Sequence, residues 1–394
     1  MFTRILATKI KAMAEKMPIV AVLGPRQSGK TTLVKELFPN YPYVNLEALD
    51  VRDYAQSDPR GFLADYPNGA IFDEAQNVPE LFSYLQVVAD ERGSNKPGQF
   101  IITGSQNFLL LEQITQSLAG RIALLNLLPL SLEELGLTSY KNNSLEQFLV
   151  DGGYPRLYQN HLQPVDIYPD YIQTYIERDI RKIKNVHDLN TFQRFLKLCA
   201  SCTGQLLNLS SLANDCGITH NTAKSWISLL ETSFIIHLLR PYHSNTGKQL
   251  IKSPKLYFYD TGLACSLLNI KDSEQLKTHY IRGHLFETLV ISEIVKYYYN
   301  HGEKPDIYFW RDKTGNELDC LIKHGEKLTP LEIKSGKTVV ADYFNGLNYW
   351  NKLNNSDPKN SQVLYGGDQN QQRKQGNISS WRDLMKDTFL KDNF

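Results

Sequence analysis

The sequence predicts an α/β fold: a doubly wound parallel sheet at the N-terminus, then a helical and winged-helix region, then a second α/β domain at the C-terminus. Three observations carry this reading. Apolar runs at 18–23 (PIVAVL), 70–74 (AIFDE) and 99–106 (QFIITGSQ) end in polar clusters and lead into helix-like spacing, and buried strands alternating with helices imply a parallel sheet. The first run passes through a turn at Gly24 straight into helical spacing over Lys30 to Phe38. After Pro129 the pattern is helical almost throughout, and a group of strands returns only in the last quarter.

Taken in order, the N-terminal segment MFTRILATKIKAMAEKMPIV spaces apolar positions among Lys and Glu, which reads as an amphipathic helix. It lacks the unbroken apolar core of a signal peptide, and no later run approaches the ~20 apolar residues of a membrane span. A soluble, cytoplasmic protein without a membrane partner is expected. Amphipathic stretches from Pro164 to Lys184 and from Leu189 to Cys202 suit a helical lid or linker. Residues 205–240 read as two short helices meeting at Cys216-Gly217, a longer helix over 221–231 and a β-rich FIIHLL run, the outline of a helix-turn-helix with a wing. A regular helix then runs from His279 to Tyr299, followed by strands at 306–310, 317–322, 329–334 and 362–365, while the polar stretch 367–378 reads as a loop. The boundaries that follow are 1–140, 141–204, 205–275 and 276–394.

A chain of 394 residues exceeds what one core organises. Its 43 Lys and Arg against 42 Asp and Glu leave a formal charge of +1, so any basic surface must be local. Five cysteines, at 199, 202, 216, 265 and 320, are odd in number and scattered. The pair Cys199-Ala-Ser-Cys202 has no second pair to complete a zinc site, so reduced core or surface thiols are expected.

Gly24-Pro25-Arg26-Gln27-Ser28-Gly29-Lys30-Thr31, followed by Thr32, satisfies the G-x-x-x-x-G-K-[ST] pattern between a strand and a helix. This is a P-loop. Glycines allow close approach of the backbone to an anion, and successive N–H groups at the helix N-terminus face the phosphates of ATP or ADP. Lys30 neutralises the β- and γ-phosphates and the Thr31 hydroxyl binds Mg²⁺. The buried run Ala70-Ile71-Phe72 delivers Asp73 to the same sheet edge, where it holds a magnesium-bound water, and Glu74 orients the attacking water. In Thr103-Gly104-Ser105-Gln106, Ser105, ahead of Gln106, is placed to sense the γ-phosphate. Arg121, with Arg178 second, is the candidate for an arginine supplied to a neighbouring subunit.

These segments resemble a prokaryotic AAA+ family that joins an N-terminal ATPase module to a C-terminal nuclease-like domain. The likeness rests on GPRQSGKTTL, AIFDEAQ, IITGSQ, LAGRI, LPLSLEEL, GGYPR (152–156), YIERDI (175–180), FYDTGL (258–263), FWRDKTGNELDCLI and LEIKSG. It implies an AAA+ core, a winged-helix module and a domain similar to the PD-(D/E)xK nuclease fold. There the matching residues are Asp319, Glu332 and Lys334, with Glu287 on the preceding helix.

Strand alternation puts Glu332 and Lys334 on one face, where Glu332 and Asp319 would hold Mg²⁺ beside a scissile phosphate while Lys334 polarises water or the developing charge; the competing reading is a charge pair in a fold kept for binding. At the start of the 221–231 helix, Asn221, Thr222, Lys224 and Ser225 are placed for DNA contacts; Arg178, Arg181, Lys182 and Lys184 are further basic positions. The expected function is a Mg²⁺-dependent ATPase coupling turnover to DNA binding or remodelling, as a homo-oligomer if Arg121 acts in trans. Alternatives are a nucleotide-switched regulator of protein partners and an ATP-governed, metal-dependent nuclease.

Overall fold

The computed structural model describes residues 2–93, 97–105, 118–176, 188–242, 252–386 and 389–393. The chain divides into two compact units. The first is Met1–Leu130 with Thr232–Phe234 and Tyr298–Lys304; the second is Ser131–Glu231, Ile235–Tyr297 and Pro305–Phe394.

In the first unit, α1 (Leu6–Ala14) leads to β1 (Ile19–Gly24), α2 (Lys30–Leu37), β2 (Tyr43–Asn45), α3 (Leu49–Ser57) and α4 (Pro59–Ala64). Then come β3 (Ala70–Asp73), α5 (Leu81–Glu91), β4 (Phe100–Ser105) and β5 (Ile122–Asn126). The five strands are parallel and ordered β2-β3-β4-β1-β5. All six residues of β1 are buried, as a strand covered on both faces requires. Its period-two alternation divides it between two cores. Ile19, Ala21 and Leu23 pack with Phe62 of α4 and Leu81 and Leu85 of α5, whereas Val20 and Val22 pack with Leu6 and Ile10 of α1 and Leu33 and Val34 of α2. Helices on both faces make the sheet doubly wound. Because β4 lies between β1 and β3, the loop after β1 and the acids after β3 flank the end of β4, with Gly24 in register with Ser105.

The second unit opens with α6 (Leu132–Gly136), α7 (Leu145–Asp151), α8 (Pro155–Gln159), α9 (Pro164–Tyr171) and α10 (Leu189–Ser201). The amphipathic stretch expected over Pro164 to Lys184 is helical as far as it is described, with Pro169 inside α9 and a π-helical segment at Ile172–Ile176, since proline removes a helical N–H and crowds the preceding turn; residues 177–184 lie outside the described residues. Beyond them come β6 (Gln205–Leu206), α11 (Leu209–Cys216), α12 (His220–Thr232), β7 (Ile236–Leu239) and β8 (Lys255–Phe258). Gly217 closes α11 in the left-handed conformation, φ 69°, and the strands form an antiparallel sheet in the order β6-β8-β7.

After α13 (Thr261–Leu267), α14 (Ser273–Lys277) and α15 (Arg282–Asn300) come β9 (Ile307–Arg311), β10 (Glu317–His324) and β11 (Lys327–Lys334). Then follow α16 (Asn345–Asn354), β12 (Gln362–Tyr365), β13 (Gln371–Arg373) and β14 (Gly376–Ser380), giving a mixed sheet ordered β13-β14-β12-β11-β10-β9. The polar stretch read as a loop is therefore largely an antiparallel hairpin, β13 paired with β14. The polar β13 lies at the sheet edge, where side chains meet water, whereas β14 lies between β13 and β12 and is mostly buried. No described helix is long and apolar enough to cross a membrane.

Candidate functional site

The phosphate loop is shaped by close approach. A Cβ on Gly24 would lie 2.1 Å from the Leu127 carbonyl oxygen, and Gly29, which opens α2, has φ 93°. Gln27 also takes a left-handed backbone, φ 60°. Arg4, buried ahead of α1, donates from Nη1 to the Ser28 carbonyl and from Nη2 to the Leu128 carbonyl, each at 2.7 Å. The Lys30 ammonium lies over the loop, donating to the carbonyls of Gly24 (3.1 Å) and Pro25 (2.8 Å). The Ser28 hydroxyl is buried in the loop with no hydrogen-bond partner among the described residues, a donor suited to an anion held there. Arg26 lies 3.7 Å from Glu47.

Asp73 ends β3 beside this loop. The Thr31 hydroxyl is 3.1 and 3.0 Å from its two carboxylate oxygens, so two hard oxygen donors converge where α2 begins. That donor set fits Mg²⁺, which takes oxygen ligands and draws the remainder from nucleotide phosphates and water. Two further hydroxyls aim the carboxylate: Tyr43 of β2 donates to Oδ2 at 2.7 Å and Thr103 of β4 to Oδ1. Burial and the hydrogen bond to Asp73 raise the Tyr43 hydroxyl well above the ordinary tyrosine range, so it stays a donor.

Glu74 does not continue the strand. It stands just past β3 with φ 55°, a left-handed turn that leads into the short 3₁₀ helix Ala75–Asn77. Gln76 on that turn donates from Nε2 to the Glu74 carboxylate and, at 3.1 Å, to the Ser105 hydroxyl. Ser105 is thus brought beside Glu74, with 3.5 Å between its Oγ and Oε2 of Glu74. Thr32, within α2, is exposed. Gln106 lies outside the described residues, as do Arg178, Arg181, Lys182 and Lys184.

Arg121 sits elsewhere. It immediately precedes β5, whose Ile122 is in register with Ile19 at the start of β1, so it is at the opposite edge of the sheet from the loop. Its guanidinium makes a two-pronged contact with Asp90, at 2.6 and 2.9 Å. Any contact between Arg121 and nucleotide would have to come from another copy of the chain. Sequence reasoning missed Arg4, Tyr43 and Gln76: each is a single polar residue outside the phosphate-loop pattern, brought in by the fold.

In the second unit, Glu287 of α15, Asp319 of β10 and Glu332 and Lys334 of β11 do come together. The Lys334 ammonium is 2.5 Å from Glu332 and 3.8 Å from Asp319, and Asp319 Oδ2 accepts the Ile333 N–H at 2.8 Å. A residue absent from the expected set joins them. Lys255 of β8 places its ammonium 2.9 Å from Glu287 and 3.9 Å from Asp319, and in contact with Glu317. Burial pushes the Glu287 and Glu332 carboxyls upward, while Glu287, Asp319 and Glu317 outweigh burial and hold Lys255 as the ammonium. The expected open oxygen set for a second magnesium is not what these residues present. Among the described residues no group of three or more His, Cys, Asp or Glu is arranged to hold a metal ion.

On the helix-turn-helix segment, Asn221 and Lys224 are exposed, whereas Thr222 and Ser225 are half-buried and the Thr222 amide is capped by Thr219. All five cysteines are free, and Cys199 is in the core.

Comparison with known proteins agrees with the first unit's fold. Residues 16–136 match a family model described as AAA domain, residues 142–274 one described as Domain of unknown function (DUF8612), and residues 282–384 one described as Domain of unknown function (DUF4143). The uncharacterized protein Rv2008c of Mycobacterium tuberculosis is 28% identical over 335 residues, 84% of this chain and 74% of that protein. The uncharacterized protein MJ1544 of Methanocaldococcus jannaschii is 22% identical over 347 residues, 80% and 74% of the two chains. Among solved structures, the Walker-type ATPase paby2304 of Pyrococcus abyssi is similar with a TM-score of 0.45 and 16% identity, covering 66% of this chain and 94% of that one. The parallel sheet, its phosphate loop and the AAA-domain match support an AAA-type P-loop ATPase.

Proposed function

We propose that this chain binds ATP with magnesium, hydrolyses it, and couples turnover to DNA binding or remodelling as a homo-oligomer. The observation that carries the ATPase reading is the meeting of Thr31 with Asp73 across 42 positions of sequence, beside Lys30 and with Glu74 one residue further on. Lys30 and the N–H groups that open α2 bind the phosphates, and the Ser28 hydroxyl adds a donor. Thr31 and Asp73 would hold the metal, which when bound supplies positive charge to the phosphoryl oxygens. Glu74 orients the attacking water and takes up its proton, while Ser105, linked to it through Gln76, lies where a change at the γ-phosphate is felt.

DNA is the favoured partner because Asn221 and Lys224 stand exposed near the N-terminal end of α12, in the manner of a winged-helix recognition helix. The test is ATP turnover and nucleotide binding by two variants. Lys30→Ala is expected to lose both, and Glu74→Gln to lose turnover by at least about 100-fold while still binding ATP. Undiminished turnover in Glu74→Gln removes the role given to that carboxylate.

A further inference from the structure

We propose that Lys255 is the resident cation of the C-terminal acidic cluster, so that the site takes a lysine ammonium from β8 in place of a divalent metal and serves as an ionic joint. The three carboxylates it reaches come from two elements: Glu287 from α15, and Glu317 and Asp319 from β10. Two of these, Glu287 and Asp319, are the residues a nuclease-like metal site would use. The Lys255 side chain is only 4% exposed, and a buried ammonium persists only where carboxylates neutralise it.

The rest of the cluster is closed by the same logic. Tyr257, two residues along β8 and therefore on the same face, donates to Glu287 at 2.6 Å. Arg311 pairs with Glu317 at 3.0 Å, and Lys334 holds Glu332. Four carboxylates thus face three cations, and among the described atoms of this cluster two, Glu332 Oε2 and Arg311 Nε, are buried without a hydrogen-bond partner. Magnesium or manganese demands several oxygens at about 2.0–2.2 Å, and Glu287 and Asp319 could supply theirs only after Lys255 had left. The consequence is mechanical: the ammonium fastens the small sheet containing β8 to the sheet containing β10.

The test uses the full chain, stripped of nucleotide and metal with a chelator and then titrated with Mn²⁺ while heat and Tm are recorded. For the natural sequence no Mn²⁺ binding dependent on Asp319 is expected, so Asp319→Asn gives the same isotherm, and neither nicks plasmid DNA with Mg²⁺ or Mn²⁺. Lys255→Met, which keeps the stem and removes the charge, is expected to lower Tm by several degrees, and Mn²⁺ should restore part of the loss by entering the uncovered carboxylates. Mn²⁺ binding or nicking by the natural chain that Asp319→Asn abolishes would overturn the proposal. So would a Lys255→Met protein with unchanged Tm. If Lys255→Met does not fold, the comparison of the natural chain with Asp319→Asn still decides.

Discussion

Gln76 shows how much a single side chain can set. The proposed role of Glu74 in orienting water requires its carboxylate to be held, and on a left-handed turn at φ 55° it gets no support from strand pairing. The Gln76 amide supplies it, bridging Glu74 to Ser105. Gln76→Ala is expected to lower kcat for ATP about tenfold with KM nearly unchanged, because orientation acts on the chemical step. Steady-state kinetics check this, and a rise in KM alone would assign Gln76 to binding instead. Nothing in the sequence marks Gln76, since a glutamine two residues past an acid has no meaning until the turn folds them together. Lys30, Thr31 and Asp73 were legible because their chemistry is fixed by local spacing around one loop and one strand end.

At the scale of elements, two segments with no catalytic signature acquire a structural explanation. GGYPR and FYDTGL meet around the Asp260 carboxylate, which caps α13 through the Leu263 N–H (2.8 Å) and accepts from the Gly153 N–H (2.6 Å) and the Tyr168 hydroxyl (2.8 Å). A Cβ on Gly152 or Gly262 would fall 2.2 or 2.3 Å from that hydroxyl, so both positions exclude side chains. Next to this network Asp151 is buried. Its carboxyl is pushed up to about 6 by burial, against the hydrogen bond from Gln147, with the Asp260 charge adding to the rise.

A folded-state value above the ordinary 3.8 means that folding favours the protonated acid. Asp151 therefore contributes stability in full below about pH 4, and that contribution is lost as pH climbs to about 6. Asp151→Asn keeps an acceptor for Gln147 and removes the charge. Urea unfolding should show it more stable than the natural chain at pH 7.5 by on the order of 1–3 kcal/mol, with a flatter profile between about pH 4 and 6. A less stable variant at pH 7.5 would mean that the hydrogen bond outweighs the desolvation.

For the whole molecule, a formal charge of +1 forbids a global attraction to DNA, so any coupling must work through local contacts. ATP turnover is expected to rise severalfold with duplex, single-stranded or branched DNA at low salt and to lose that stimulation steeply as salt increases, since phosphate contacts release counterions. Turnover stimulated by a protein and indifferent to DNA at every salt concentration would favour the nucleotide-switched regulator instead.

The apolar runs of β1, β3 and β4, the loop between β1 and α2, and the strands β9 to β12 could be read directly, because burial on a sheet leaves a continuous or alternating apolar record in neighbouring residues. The three-residue β2 and the half-buried β5 leave little such record, and the polar edge strand β13 leaves the opposite one. The sequence by itself determined the phosphate-loop chemistry, since that needs only residues adjacent along the chain. Tertiary structure alone decided that Tyr43 and Thr103 aim Asp73, that Arg121 faces Asp90, and that Lys255 enters the acidic cluster. Those partners are set by strand order and register between distant segments, and hydrogen bonds and ion pairs across such distances leave no periodic pattern in the chain.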